Sequence, residues 1–515
     1  MNLDAMTRYA TGDVVDAVVV GTGAGGAPLL ARLAAAGLRV VALEAGPNFE
    51  PERFAFDETL ADEIYWTDER LSGGATPEAF GGNNSGTGVG GSTLHWGAFC
   101  PRADRRDLLL RSESGEGLDW PIDYDELLPF YERVEAFIGV SGPQSYPWDP
   151  GRRYPLPPVA RNASAQIMSA ACARLGIRAT DAPAAVVSRD FAQEGGASRH
   201  ACIHCGYCHQ GCRNGAKTSM DVTYLPYAVA HGTEIRADAR VHGLERDRDG
   251  RIAAVVYRRG GIDQRQRCAQ VFLCAGAVET PRLLLHCGLA NGSGQVGRNY
   301  MGHVATQVWG SFDAETRPNK GYPSSLITED MIRPRDADFV GGYLMQSLGV
   351  EPLTFATSVA RGRKLWGQPL VDYLHGYNHV AGIGINGETL PRDGNRLTLA
   401  DEADALGMRK AQVSFGYGGN EERLNAHATR LMTDLWQAAG ARDVWTLERV
   451  AHTIGTCRMG RDGDDAVVDP WGRAFEIPNL WICDGSTFPS SLAANPALTI
   501  MALSLRTAEA VLRGA

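Results

Sequence analysis

Several features are scarce or missing in these 515 residues, and each absence closes off a class of protein. No uninterrupted apolar run approaches the roughly 20 residues that carry a helix across a bilayer, so no membrane span is expected. The opening MNLDAMTRYATGDVV holds Asp4 and Asp13 and lacks the apolar core of a secretory leader. A cytoplasmic chain is the expectation. Basic charge is not in excess: 50 Lys plus Arg stand against 60 Asp plus Glu, whereas a nucleic-acid surface needs clustered cations. Internal repeats and low-complexity tracts are missing too, which excludes solenoids and tail-like binding segments. The cysteines number 11, an odd count, and seven are scattered through apolar contexts such as VFLCAG and LWICDG. That usage fits a reducing compartment better than a disulfide framework, and the scattered thiols read as core packing.

What is present is an ordinary globular composition, 44% hydrophobic and 21% charged. The length exceeds what one core supports, so two or more lobes are expected. Val14 to Val20 is an apolar run of strand length, followed by Gly21, Gly23 and Gly26, the helical pattern PLLARLAAAG, and a second strand pattern, RVVALEAG, that holds Glu44. Strand, glycine turn, helix, strand and acid in that order form the dinucleotide-binding βαβ unit. The glycines permit a tight turn and bring a pyrophosphate to the helix N-terminus, while Glu44 suits an adenosine ribose. This unit alone does not separate FAD from NAD, because both carry an ADP half.

Further pieces of the same architecture are scattered along the chain. Residues 235–258 read as two alternating strands around the turn Asp247 to Gly250; QVFLCAGAVETPRLLLHCG reads as a buried strand, a glycine turn and a helix. NLWICDGSTFPSSLAANPALTIMALSLRTAEAVL reads as a strand ending at Asp484, an irregular loop and a closing amphipathic helix. The expected fold class is therefore α/β, with a Rossmann-like domain assembled from residues 1–98, 222–310 and 449–515. Residues 99–221 and 311–448 would build an α+β substrate lobe. The stretch GGNNSGTGVGGS at 81–92 is glycine-dense enough to lie over a cofactor. Among aromatics, Trp309, Tyr343, Trp366, Tyr373, His375 and Tyr377 suit stacking on a substrate ring, though core packing is the commoner fate of such residues.

Four ordered stretches, GTGVGGSTLHWG (86–97), CAGAVETPRLLLHCG (274–288), HTIGTCRMG (452–460) and DGSTFPSSLAANPALTIMA (484–502), resemble the glucose-methanol-choline oxidoreductase family. The resemblance implies bound FAD, a substrate domain on a mixed or antiparallel sheet, and oxidation of an alcohol, with a secondary or sugar hydroxyl favoured. It implies a catalytic pair, His452 and Asn495. A carbinol loses hydride readily only if its hydroxyl proton is removed, which neutral imidazole can do near pH 7, while an amide holds the oxygen in place. It further implies cofactor contacts from Gly91, Ser92, Trp96, Asp484 and Pro496, and from Val241 through its backbone to adenine. His95 stands where some members attach FAD covalently; the alternatives are a wall of the flavin site shared with Trp96, or plain packing. Oxygen or an external acceptor would take the electrons. An NAD-dependent dehydrogenase is opposed by the C-terminal signature, and a lyase or non-catalytic flavoprotein by the intact His/Asn pair.

One motif stands outside this scheme. Cys202, Cys205, Cys208 and Cys212 are spaced like a bacterial ferredoxin run, with Arg213 in place of the usual proline and no second run elsewhere. A three-iron cluster on three thiolates, a four-iron cluster on all four, and a reduced, metal-free packing loop all remain open. Structural zinc normally wants two cysteine pairs split by a longer loop. Some multisubunit sugar dehydrogenases of the resembled family carry an iron–sulfur cluster in their flavin subunit, which implies a small or electron-transfer subunit as partner.

Overall fold

The structure, a computed structural model, describes residue 3 and residues 8–54, 56–78 and 85–514. Asp4 of the opening segment and residues 81–84 of the glycine-dense stretch lie outside them. The chain folds around two large sheets, one for each expected lobe.

The first is a seven-stranded sheet in the order Glu234–Arg236, Val40–Leu43, Val14–Val20, Ile262–Leu273, Ile252–Arg259, Arg240–Arg246, with Leu480–Ile482 also paired to Ile262–Leu273. Val14–Val20 lies parallel between Val40–Leu43 and Ile262–Leu273, Val18 facing Val41 on one side and Val271 on the other. A strand covered on both faces reads as a continuous apolar run, which explains the unalternating VVDAVVV. The antiparallel hairpin beside it turns at Gly260 and Gly261, both at positive φ, as a two-residue hairpin turn requires. The helix Gly26–Ala35 follows the glycine turn and packs against the closing helix Ala497–Arg513. That closing helix is buried nearly all round, its Arg506 included, where the sequence pattern reads as amphipathic.

The second, eight-stranded sheet is largely antiparallel, in the order Val444–Leu447, Gln307–Ser311, Val380–Gly387, Tyr343–Leu348, Leu326–Thr328, Thr180–Asp181. Met301–Val304 joins it through Val380–Gly387 and is paired in turn with Val450–Ile454. Met301–Val304 and Val450–Ile454 fall within segments that the sequence assigns to the nucleotide domain, and Gln307–Ser311 straddles the boundary at 310, yet all three pair in the substrate sheet. Their partners lie up to about 150 residues away, and no local pattern announces them. The helices Ala163–Arg174 and Gly419–Ala438 cover this sheet, with Met168, Leu424 and Trp436 in the core between them. All eleven cysteines are free, and six of the seven scattered ones are buried. Among the described residues no helix is long and apolar enough to cross a membrane.

Candidate active site

One cavity of about 480 Å³ is lined from both sheets. Gly21, Gly23, Glu44, Gly91, Ser92, Val241, Asp484 and Pro496 all line it, together with the catalytic candidates His452 and Asn495. Gly26 lies just behind, packed so closely on the first strand that a Cβ would fall 2.0 Å from the Gly21 carbonyl oxygen. Gly91 sits at φ +56°, and a Cβ there would come within 2.8 Å of Gly23 Cα, so the two glycine turns are pressed together as one floor. Gly25 escapes the sequence motif: a Cβ on it would fall 1.8 Å from the carbonyl oxygen of Cys483, which ties the first turn to the last strand.

Two acids brace this floor. Glu44 accepts from Thr22 N at 3.0 Å, Thr22 Oγ1 at 2.8 Å, Gly46 N at 3.1 Å and Gly88 N at 3.4 Å. Burial pushes its carboxyl up and these bonds oppose that shift. Each carboxylate oxygen thus takes two donors from the chain, and the residue still lines the cavity. Asp484 accepts from Gly276 N and Thr280 Oγ1 at 2.9 and 2.6 Å and from Ser486 N at 2.9 Å, joining the helix Gly276–Cys287 to the last strand.

The wall of this end is aromatic. His95 Nε2, Trp96 Nε1 and Trp66 Nε1 are buried without a hydrogen-bond partner, and all three residues line the cavity. Buried polar atoms left open around a cavity mark the place of a ligand. Burial, then Lys217 and His209, holds the His95 imidazole down to about 3, so it is neutral. A floor of tightly packed glycines beside a helix N-terminus and a wall of unpartnered ring nitrogens fits an adenine dinucleotide that carries a flat, hydrogen-bonding ring system.

His452 is aimed into the cavity by local strain. It sits at φ 62° on Val450–Ile454, where the pairing with Met301–Val304 slips between Ala451 and Ile454. Bulges of this kind re-aim side chains beside active sites, and a residue held so costs about 1–3 kcal/mol. His303, on the neighbouring strand, places Nε2 at 3.1 Å from the Ser491 carbonyl and 2.9 Å from that of Leu492, itself at φ 64°. Two carbonyls accept only, so His303 carries its proton on Nε2 and leaves Nδ1 bare. His452 Nδ1, 2.9 Å away, must then donate to it. That fixes a bare Nε2 on His452, facing the cavity.

Asn495 Nδ2 donates to this Nε2 at 3.3 Å, and the Asn495 amide is held in that orientation by Asn386 Nδ2, which donates to Asn495 Oδ1 at 2.9 Å. Burial, then His303, then Arg449 holds the His452 imidazole far below the ordinary histidine range. Burial likewise holds His303 down to about 4. The loop that carries Asn495 is pinned by Trp120 Nε1 donating to Ser490 Oγ at 2.7 Å and Thr389 N donating to Ser491 Oγ at 2.8 Å. Sequence reasoning misses His303 and Asn386 because they belong to no signature and reach the site through long-range strand pairing.

Of the aromatics singled out from sequence, only Trp309 lines the cavity; Tyr343 is buried in the core and Trp366 is 81% exposed. Gln346 Oε1 and Gln210 Oε1 also line the cavity, buried and unpartnered.

The cysteine run forms a loop against the wall made by Leu94, His95 and Trp96. Its four thiols line one small space of about 10 Å³, the room of a single water. Cys202 Sγ accepts from His204 N, and Cys212 Sγ accepts from Lys217 N and donates to Asn214 Oδ1. Burial pushes the Cys202 thiol up to about 11 and raises Cys205 and Cys208 as well. Among the described residues no three His, Cys, Asp or Glu side chains converge to hold a metal ion. The loop has a visible structural task instead. Lys217 Nζ, fully buried, donates to the carbonyls of Leu94, Cys208 and Trp96 at 2.6, 2.7 and 3.3 Å, and His209 Nδ1 lies 3.2 Å from the carbonyl oxygen of His95.

Known proteins share both this sequence pattern and this architecture. The two models of the GMC oxidoreductase family match residues 68–305 and 391–504. The 2-methyl-1,2-propanediol dehydrogenase of Mycolicibacterium austroafricanum is 30% identical, over 97% of this chain and 96% of its own. The fructose dehydrogenase large subunit of Gluconobacter japonicus is 29% identical, over 96% and 97%. Among solved structures, an Aspergillus oryzae formate oxidase variant shares the fold with a TM-score of 0.73, at 15% identity, over 98% of this chain and 99% of that one.

Proposed function

The chain belongs to the glucose-methanol-choline oxidoreductase family, whose members bind FAD, and from that premise we propose that it oxidises a secondary or sugar hydroxyl to the carbonyl with His452 as base. The observation that supports this most directly is the fixed tautomer: His303 and the carbonyls behind it leave His452 Nε2 unprotonated and turned into the cavity. A carbinol placed there donates its hydroxyl proton to Nε2 as its C–H bond breaks. FAD, when bound, supplies the acceptor for that hydride. Asn495, oriented by Asn386, directs an N–H at the carbinol oxygen and holds it beside the base. His303 keeps the imidazole from turning or changing tautomer.

Glu44, Gly21, Gly23, Gly91, Ser92, Val241, Asp484 and Pro496 would hold the cofactor, with His95 and Trp96 as its wall. The relative named for a sugar supports a sugar hydroxyl, and the one named for a diol supports alcohol oxidation in general, since the only oxidisable hydroxyl of that diol is primary. The one named as a large subunit supports an acceptor that docks as a separate chain; oxygen is the other acceptor. An iron–sulfur relay on Cys202, Cys205, Cys208 and Cys212 carries no step here, because the thiols enclose only a water-sized space and bond within their own loop.

The test is anaerobic flavin bleaching. A panel of sugars, glycosides and aliphatic alcohols should reduce the bound flavin of the wild type, and His452→Ala should slow that reduction by about 10²-fold or more with FAD retained. Unchanged reduction kinetics in the variant would remove His452 from the role.

A further inference from the structure

The cavity holds a charge that the oxidation of a neutral alcohol does not use. Arg449 lines it, three residues before His452 and two before Ala451, which lines it too. Its side chain has neither a hydrogen-bond acceptor nor an acid partner among the described residues. Every other arginine lining this cavity is paired: Arg70 with Glu279, and Arg240 with Asp68 and Asp404. Arg449 is half-buried, and the charge that acts on it is a second cation, the exposed Arg361 of the helix Pro352–Arg363, which has no acid partner among the described residues either. A desolvated guanidinium without an anion is expensive to keep, and a like charge beside it adds to the cost. The acid on this side of the cavity, Glu351, is engaged by Gln210 and neighbours Glu58 instead.

We propose that the alcohol oxidised here is itself an anion, bearing a carboxylate or phosphate ester that seats on Arg449 while its carbinol lies at His452. The proposal rests on the oxidation described above and names its substrate class. Arginine's planar fork pairs in bidentate fashion with either group. The unpartnered Oε1 atoms of Gln346 and Gln210 in the same cavity call for hydroxyl donors, so the substrate carries additional hydroxyls. Seating an anion there would also relieve His452 of one of the cationic neighbours that weaken it as a base.

Three compounds on one six-carbon frame provide the test with the FAD-loaded enzyme: D-gluconate, D-glucitol 6-phosphate and D-glucitol. One of the two anions should exceed glucitol in kcat/KM by about 10-fold or more, and which one identifies the group. Arg449→Met should erase that preference, Arg449→Lys should retain part of it, and added salt should reduce it. A second readout does not need turnover. Calorimetric binding of malonate, which has no carbinol, should weaken by about 10-fold or more in Arg449→Met, with FAD content reporting that the variant is folded. Equal malonate affinity in both proteins, or a preference for glucitol, overturns the anion site. If malonate binds through Arg449 but no alcohol reduces the flavin, the oxidation assignment falls and the anion site stands. Reduction by glucitol with no Arg449-dependent anion binding overturns the anion site and leaves the oxidation assignment standing.

Discussion

At the scale of single residues, the base proposed at His452 is shaped by its surroundings. His303 is a positioning residue whose two carbonyl acceptors determine where the proton on His452 sits, two hydrogen bonds away. A base works only when deprotonated, so activity falls as pH drops through its pKa. With that pKa held well below the ordinary value of about 6.5, kcat/KM should stay flat through neutrality and fall only at pH values below the ordinary histidine range. His303→Ala removes the acceptor that orients His452 and the first electrostatic neighbour that lowers it. Flavin reduction should fall by about 10- to 10²-fold, and the acid limb should move to higher pH. His303→Gln, whose neutral amide supplies N–H donors and a carbonyl acceptor, should recover part of the rate and leave the acid limb at the higher pH. A merely structural role would alter melting and FAD content and leave the acid limb where it was. The candidates His452 and Asn495 stand out because each sits inside a compact signature, whereas His303 and Asn386 are ordinary-looking residues in strands, brought against them only by the fold.

At the scale of elements, the glycine turn shows how local chemistry and distant packing combine. Gly21, Gly23 and Gly26 are readable from spacing alone, but Gly25 is required by Cys483, more than 400 residues away, whose carbonyl would meet a Cβ at 1.8 Å. Gly25→Ala must push the last strand off the first turn. Overpacking of about 1–3 kcal/mol at the cofactor floor should weaken FAD binding by about 10- to 10²-fold. Gly12→Ala, with nothing within 4 Å of the added methyl, is the matched control. Flavin fluorescence titration of the two apoproteins decides it, and equal affinities would mean that the turn yields freely. The cysteine run is the element whose pattern promises most and whose packing says something else. Its spacing is that of a cluster ligand set, yet Gly211 brings the loop onto Phe54, and the Lys217 ammonium ties the loop's own Cys208 carbonyl to the carbonyls of Leu94 and Trp96. Protein purified without oxygen should therefore contain neither stoichiometric iron nor acid-labile sulfide. Iron accompanied by visible absorption that Cys208→Ser removes would restore the cluster.

At the scale of the whole molecule, the two halves differ in how much of them the sequence announces. The centre of the nucleotide half, Val14–Val20 and Val40–Leu43, is a pair of parallel buried strands joined by a short helix, so its signals are local and strong. The substrate half depends on Val380–Gly387, buried along its whole length and paired with Gln307–Ser311, Tyr343–Leu348 and Met301–Val304. Fully buried strands show no alternation, and antiparallel neighbours so distant in sequence leave no turn between them, so VAGIGING gives no hint of its place. The cavity lies where the halves meet: its lining runs from Val20 to Ile500 and draws on both sheets. A cofactor bound there contacts segments that the chain itself connects only through long excursions, and it stabilises the fold by mass action, by about 4 kcal/mol at a thousandfold excess over its Kd. Stripping FAD should lower the melting temperature and, because both sheets share the lining, should lower it for the whole molecule at once. Thermal melts of apo- and holoprotein, followed by far-ultraviolet dichroism and by the fluorescence of Trp436 in a variant retaining only that tryptophan in the substrate half, should give one coincident transition that shifts upward with added FAD. Two separated transitions, with only the nucleotide half responding, would show that the lobes fold independently and that the cavity is a contact between finished domains.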